Sequence, residues 1–157
     1  DGRPMAKRSL AQKAQAVEKL AAEVYRKLAI RFATSSEARM FTQLAIEEEQ
    51  HALRIGLVAE RGGPGAQATL DEAVLDGLLA EGEVLMGLVR PDGPELSLAE
   101  ALHLMVKLEE RFASAHAERM TRDGDPATRA FFEGLARQDR MHAHVLKAAV
   151  ARFGPPK

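Results

Sequence analysis

The chain has 157 residues and a formal net charge of −1, which is long enough for one domain with a buried core and gives no electrostatic reason to expect a nucleic acid partner. It has no cysteine, which excludes disulfides, a thiol nucleophile and an iron centre held by cysteine within this chain. No apolar run approaches the roughly 20 residues of a membrane span, and the first residues lack the apolar core of a signal peptide. We expect a cytoplasmic protein that binds neither membrane nor nucleic acid.

The composition predicts an all-α protein, because the chain is rich in Ala, Leu, Glu and Lys and has only seven aromatic residues. Helix start signals of the Ser/Thr-x-x-Glu/Gln type precede most of the apolar-periodic stretches. In chain order we predict helices over 10–33, 36–60, 70–89, 98–121 and 126–152, of which the third is the weakest.

Short turns at 34–36 and 123–125 predict that the first two helices, and likewise the last two, form antiparallel hairpins. The long connection between the hairpins is rich in glycine and proline, and we expect its helix, weakened by Gly77, Gly82 and Gly87, to pack across the bundle. The predicted architecture is therefore a four-helix bundle with an extra crossover helix. It forms a single domain over 1–157, with flexible ends at 1–9 and 153–157.

A carboxylate-x-x-histidine unit occurs twice, and each copy follows a glutamate that lies 30 residues upstream. At an offset of 91 residues the matched pairs are Glu18 with Glu109, Glu48 with Asp139 and His51 with His142. The chain thus contains an internal repeat whose agreement is concentrated at chemically demanding positions.

Helical geometry predicts that the six repeated residues meet inside the bundle. In each hairpin the two carboxylates lie about 14 to 16 residues from the turn, which at roughly 1.5 Å per residue gives them similar heights. They also fall on the apolar stripes of their helices. The candidate metal ligands are Glu18, Glu48, His51, Glu109, Asp139 and His142.

Four carboxylates buried beside two histidines would be costly without compensating charge, and two divalent cations would supply it. This donor set suits iron or manganese, whereas a closed structural zinc site would more often use thiolates. Two iron ions are the expected cofactor, with manganese, a mixed pair or adventitious zinc as alternatives. The competing interpretation is a buried ion-pair network without metal.

Two further histidines fit the site less well. Glu100-x-x-His103 has the same spacing, but Glu100 lies about 180° from Glu109 around its helix, so we interpret the pair as a helix cap on the solvent face. His144 is off the apolar stripe and is expected to face solvent.

At these residues the chain resembles the rubrerythrin-like branch of the ferritin-like superfamily, over roughly 10–60 and 98–150. The resemblance rests on Glu18 with Tyr25 seven residues later and on the two carboxylate-x-x-histidine units. It implies a dinuclear iron centre that reduces peroxide or dioxygen with an external electron donor, in a homodimer. It also implies that Tyr25 holds a ligand carboxylate, although a core tyrosine is an equal alternative. His116, the repeat mate of Tyr25, is a hydrogen-bond donor, a core residue or an extra ligand.

The chain departs from that pattern in three ways. Asp139 stands where the family has glutamate, Phe112 stands one turn after Glu109 where a further carboxylate is typical, and a cysteine-ligated iron module is absent from the chain. Glu48 and Asp139 are the expected bridging carboxylates. The alternative functions are ferroxidase activity for iron handling and a helical interaction bundle in which the metal site is partly lost.

Overall fold

The computed structural model describes residues 9–67, 70–119 and 126–153, apart from the side chains of 62–67 and 118–119. Its helices are α1 (Leu10–Arg31), α2 (Ala38–Gln67), α3 (Glu72–Val89), α4 (Leu98–Ser114) and α5 (Pro126–Ala151), and a π-helical turn at Ala115–Arg119 continues α4. The described residues contain no strand, which confirms the all-α prediction. Within the same part of the chain no helix is long and apolar enough to cross a membrane.

Two predicted helix starts are confirmed in detail. The Ser9 and Ser97 side chains each accept a hydrogen bond from the backbone N–H three residues later. In turn, the side chains of Gln12 and Glu100 accept hydrogen bonds from the backbone N–H groups of Ser9 and Ser97. These reciprocal caps satisfy backbone donors that an α-helix leaves free at its first turn.

The predicted start of the second helix at residue 36 was wrong, because the first turn occupies 32–37. Glu37 is buried in this turn, where it accepts a hydrogen bond from Ser36 and forms an ion pair with Arg152 at 3.2 Å. It is therefore unavailable for a capping box with Thr34. The third helix likewise begins later than predicted, with Asp71 as its N-cap.

Two predicted helix ends were also wrong. α2 continues to Gln67 rather than stopping at 60, since helix propagation adds a backbone hydrogen bond per residue and carries the helix into the glycine-rich stretch. The fourth helix leaves α-helical geometry after Ser114 and enters the π turn. The predicted turn at 123–125 lies outside the described residues.

The two hairpins, α1 with α2 and α4 with α5, enclose one apolar core. α1 faces α4 across this core, where Tyr25 bonds Glu109, and α2 faces α5, where Glu47 bonds His142. The largest fully buried apolar side chains include Tyr25, Leu28, Phe41, Leu102, Met105, Phe112, Leu135 and Leu146. The four long helices therefore surround a single interior layer, as the turns predicted.

The crossover helix α3 packs along α1 and is held at both ends by cations of α1. Lys13 pairs with Glu72 at 2.8 Å and Asp76 at 2.7 Å near the start of α3. At the other end the Arg31 guanidinium donates to the carbonyl oxygens of Leu88, Arg90 and Pro94. These contacts keep the long connection against the bundle.

Gly82 allows α3 to approach α1 closely. A Cβ at this position would lie 2.4 Å from Leu20 Cδ2 and 2.9 Å from Leu20 Cγ, whereas a Cβ at Gly77 would have no neighbour within 4 Å. The glycines were expected only to weaken α3, but Gly82 leaves room for the Leu20 side chain of α1.

Replacing these two glycines by alanine should therefore have opposite effects. Gly77→Ala should stabilise the protein by up to about 1 kcal/mol through helix propensity, while Gly82→Ala should lose about 1–3 kcal/mol to overpacking against Leu20. Thermal unfolding of the two variants measures the difference directly. Equal melting temperatures would show that α3 does not depend on close contact at Gly82.

Candidate metal centre

The structure brings the six candidate ligands into one buried cluster. The four carboxylate residues, Glu18, Glu48, Glu109 and Asp139, have no exposed surface, and His51 and His142 are 2% and 4% exposed. α1 and α4 each contribute one glutamate, whereas α2 and α5 each contribute a carboxylate and a histidine three residues later. Their assignment as metal ligands remains a prediction, but their convergence is a fact of the fold.

The cluster contains two groups with the spacing of a metal site. One group consists of Glu18, Glu48 and His51, and the other of Glu48, Glu109, Asp139 and His142; within each, one ligand atom per residue lies within 4.8 Å of the others. Glu48 belongs to both groups, which is what a bridging carboxylate requires. Asp139 belongs to one group, so its expected bridging role rests on its repeat position.

The separations between donor atoms suit atoms that share a metal ion. In an octahedral site, ligand atoms about 2.1 Å from the metal lie about 3.0 Å apart when adjacent and about 4.2 Å apart when opposite. His51 Nδ1 is 3.2 Å from Glu48 Oε2 and 3.8 Å from Glu18 Oε2. His142 Nδ1 is 2.9 Å from Glu48 Oε1 and 3.4 Å from Glu109 Oε1.

Buried polar atoms of this cluster lack hydrogen-bond partners in the structure, which is unusual because a buried polar atom without a partner is costly. They are both carboxylate oxygens of Glu18 and Glu48, Oε2 of Glu109, Oδ1 of Asp139, and Nδ1 of His51 and of His142. All of these atoms belong to predicted ligands. The residues present therefore fit a pair of cations, which would satisfy the unpartnered atoms and balance four carboxylate charges.

The electrostatics of the protein without metal show how strongly the cluster favours positive charge. Burial lowers the pKa of each histidine, but hydrogen bonds and charge from the neighbouring carboxylates outweigh it and raise the pKa of His51 to about 10 and that of His142 to about 11. Metal ions and protons thus compete for the same imidazole nitrogens, and metal binding must release protons.

The carboxylates differ in the balance between burial and neighbouring charge. Burial, reinforced by the charge of Glu109, holds the pKa of Glu48 well above its usual value, and burial raises the pKa of Asp139 to about 6. Burial acts on Glu18 in the same direction, but the nearby imidazoles of His116 and His51 prevail and lower its pKa. A bound cation would therefore favour the charged form of the shared carboxylate Glu48, which burial disfavours.

Glu47 orients His142, and the sequence analysis missed it. Its Oε2 lies 2.6 Å from His142 Nε2, so a hydrogen bond there leaves Nδ1 to face the cluster. A metal-binding histidine commonly donates its second ring nitrogen to a carboxylate in this way. No local pattern in the sequence marks Glu47, because its partner lies 95 positions away along the chain.

Tyr25 contacts the carboxylate of the candidate ligand Glu109, the kind of contact that the family resemblance implied. Its hydroxyl donates a hydrogen bond to Glu109 Oε1, and both residues are fully buried. Burial and the negative charge of Glu109 keep the pKa of Tyr25 well above its usual value, so the phenol stays a donor. Glu109 is thereby held in position while its Oε2 remains unpartnered.

His116 enters the cluster from the π turn. Its Nδ1 lies 2.6 Å from Asp139 Oδ2 and its Nε2 lies 3.1 Å from Glu18 Oε1, and its side chain is 1% exposed. Burial lowers the pKa of His116, but the charge of Asp139, the hydrogen bond to that carboxylate and the nearby carboxylate of Glu18 raise it to about 10. By contrast, Glu100 and His144 are exposed, and Glu100 caps α4 as predicted.

A cavity of about 600 Å³ opens between α2 and α5 and reaches the ring edges of His51 and His142. The two rings are stacked at its base, with centroids 5.5 Å apart. The other lining residues are polar or flexible: Gln43, Glu47, Gln50, Arg54, Gly134, Arg137, Gln138 and Met141. A small molecule therefore has a route from the surface to the cluster.

The metal-free protein should lose stability as the pH rises from about 7 to 10. His51, His116 and His142 bind protons more tightly in the folded protein than an ordinary histidine with a pKa of 6.5 does, so their contribution to stability is complete below that pH and disappears as the pH passes the folded values of about 10 to 11. Over this range we expect the melting temperature of chelator-treated protein to fall by more than about 5 °C. A melting temperature that stays constant or rises would contradict the charge balance described above.

A known protein family matches the part of the chain that forms the cluster. The sequence model of the Rubrerythrin family matches residues 10–150, which spans α1 to α5 and includes all six candidate ligands. No curated protein and no solved structure matches the chain significantly. Since the match covers most of the 157 residues, the chain belongs to the rubrerythrin family, whose members are ferritin-like dimetal-carboxylate proteins.

Proposed function

We propose that this protein holds two iron ions between Glu18, Glu48, His51, Glu109, Asp139 and His142 and reduces peroxide or dioxygen. The observation that carries the proposal is the group of unpartnered buried atoms, all on predicted ligands of one cluster. Manganese or a mixed pair would satisfy the same oxygen and nitrogen donors. Family membership supports the dimetal site, and the cavity beside the histidines supports a small oxidant as substrate.

When bound, a pair of ferrous ions would supply the two electrons that, together with two protons, reduce hydrogen peroxide to two water molecules. The chain's own residues hold the site in position while charge at the metals changes. Glu47 fixes His142 from the cavity side, and Tyr25 fixes Glu109 from the opposite side of the cluster. Because this chain has no cysteine for a second iron centre, the proposal requires an external electron donor.

The expected homodimer is likewise a proposal. Its support is a stripe of apolar side chains on the outer face of α2, where Ile46, Leu53 and Leu57 are 38%, 67% and 52% exposed. Spacings of seven and four residues place the three side chains on one side of the helix. A stripe of this kind can be covered by the same stripe of a second copy.

Metal content and peroxide turnover test the proposal together. Protein from iron-supplemented cells should hold about two irons per chain by mass spectrometry, one for each carboxylate-x-x-histidine unit. The double variant His51→Ala, His142→Ala should lose most of this metal and reduce peroxide at least roughly 100-fold more slowly. His144→Ala, which alters an exposed histidine on the same helix as His142, is the matched control and should behave as wild type.

The same measurements separate the competing functions. Iron that is bound and oxidised by dioxygen but then released would indicate ferroxidase activity. A folded protein that binds no metal after reconstitution would support the helical interaction bundle, in which the six residues form a polar core. Unchanged turnover in the double histidine variant would exclude this cluster as the site of reaction.

Glu47 should matter for metal affinity although it is not a predicted ligand. Glu47→Ala removes the carboxylate that holds His142 Nε2, and we expect metal to bind roughly 10- to 100-fold more weakly. Glu49→Ala is the matched control, because Glu49 is an exposed glutamate two residues away that pairs only with Arg26 among its described ion pairs. Titration calorimetry of the two variants measures the effect, and equal dissociation constants would exclude the orienting role.

A further inference from the structure

His116 lies between residues of the two candidate metal groups. It is presented by the π turn after α4 and contacts Glu18 of α1 and Asp139 of α5. Its repeat mate Tyr25 has one carboxylate partner among its described hydrogen bonds, whereas His116 reaches carboxylates with both ring nitrogens. π-helical turns often occur at functional sites, where they change the register of a helix.

The contact with Asp139 defines the role of one nitrogen. Nδ1 lies 2.6 Å from Asp139 Oδ2 in a buried hydrogen bond, and an ionised carboxylate can only accept, so Nδ1 carries the proton. In a neutral imidazole the other nitrogen, Nε2, then has a free lone pair. This is the arrangement in which metal-binding histidines are usually held.

The contact with Glu18 places that lone pair beside an oxygen that has no partner. Nε2 lies 3.1 Å from Glu18 Oε1, yet Glu18 Oε1 is among the atoms without a hydrogen bond of acceptable geometry. Without metal, a proton on Nε2 would join the two atoms, and a metal ion held by Glu18 would take the place of that proton. A separation of about 3.0 Å is what adjacent ligand atoms on one metal ion have.

Two aromatic rings among the described residues fix the His116 ring. Phe112 and Phe132 pack against it, with ring centroids 6.2 and 5.8 Å away. Phe112 occupies the position one turn after Glu109, so α4 offers no carboxylate there, and the next buried polar residue of this segment is His116 itself.

We propose that His116 is a third imidazole ligand of the dimetal centre and binds, through Nε2, the metal ion held by Glu18. The proposal rests on the dimetal function proposed above. It gives the first metal position the ligands Glu18, Glu48, His51 and His116, and leaves Glu48, Glu109, Asp139 and His142 at the second. The two positions then differ in nitrogen content, and the first favours cobalt, zinc or iron over manganese more strongly than the second does.

Cobalt(II) is a suitable probe because it is paramagnetic and shifts the proton signals of a directly bound imidazole far outside the ordinary range. The chelator-treated protein is loaded with cobalt(II), and proton spectra are recorded for wild type, His116→Gln and the exposed-site control His144→Gln. Among the strongly shifted N–H signals of the bound imidazoles, we expect the one from His116 Nδ1, bonded to Asp139, to be absent in His116→Gln and present in the control. Calorimetry should show one of two cobalt sites weakened roughly 100-fold in His116→Gln.

A second variant separates ligation from loss of folding. The variant His116→Tyr has the same residue type as the repeat mate Tyr25. Its hydroxyl can still donate to the carboxylates, but its side chain has no nitrogen, so the protein should fold and also lack the shifted signal. If wild type binds two cobalt ions but every shifted signal persists in both variants, His116 is a positioning residue and the proposal is overturned. If wild type binds no cobalt or iron, the dimetal function itself fails, and the assignment of His116 fails with it.

Discussion

The burial of four carboxylates in one layer of the bundle is the constraint on which the rest of the structure depends. Glu18, Glu48, Glu109 and Asp139 are fully buried, and the cost of four uncompensated charges would exceed what a small apolar core can offset. α2 and α5 therefore each supply a histidine beside their carboxylate, and the π turn after α4 supplies a third, His116. Imidazoles perform this function in the absence of metal, which is why their pKa values are raised so far.

The parts of the fold outside the cluster can be understood as support for that layer. Two hairpins place donors at equal height, and the crossover helix lies outside them on α1, where Lys13 and Arg31 hold it by its two ends. Three residues beyond the predicted ligand set then fix individual donors from three different segments: Tyr25 of α1, Glu47 of α2 and His116 of the π turn. A site assembled from so many segments requires the whole bundle to be folded.

The sequence was sufficient to predict the bundle and the residues that converge in it, because both follow from helical periodicity and from a repeat of chemically distinctive residues. It was insufficient where the outcome depends on contacts between distant segments. The partner of His142 is Glu47, 95 positions away, and nothing in the local pattern marks that glutamate as different from its neighbour Glu49. Similarly, the burial of Glu37 against Arg152 displaced a helix start whose capping signal looked complete. The helical sequence pattern of α4 continues without a break into the π turn. Its spacing therefore does not show where the backbone changes from an α-helix to a π-helix.

Glu48 is common to both candidate groups, and this has an evolutionary consequence. Loss of Glu18 or Glu109 by mutation would impair mainly one position and leave a site that still binds one ion. Loss of Glu48 would impair both positions in a single step, while relieving the core of a carboxylate whose pKa burial holds well above its usual value. Replacement of Glu48 is therefore a short mutational route from a bundle with two candidate metal positions to one that keeps the fold alone.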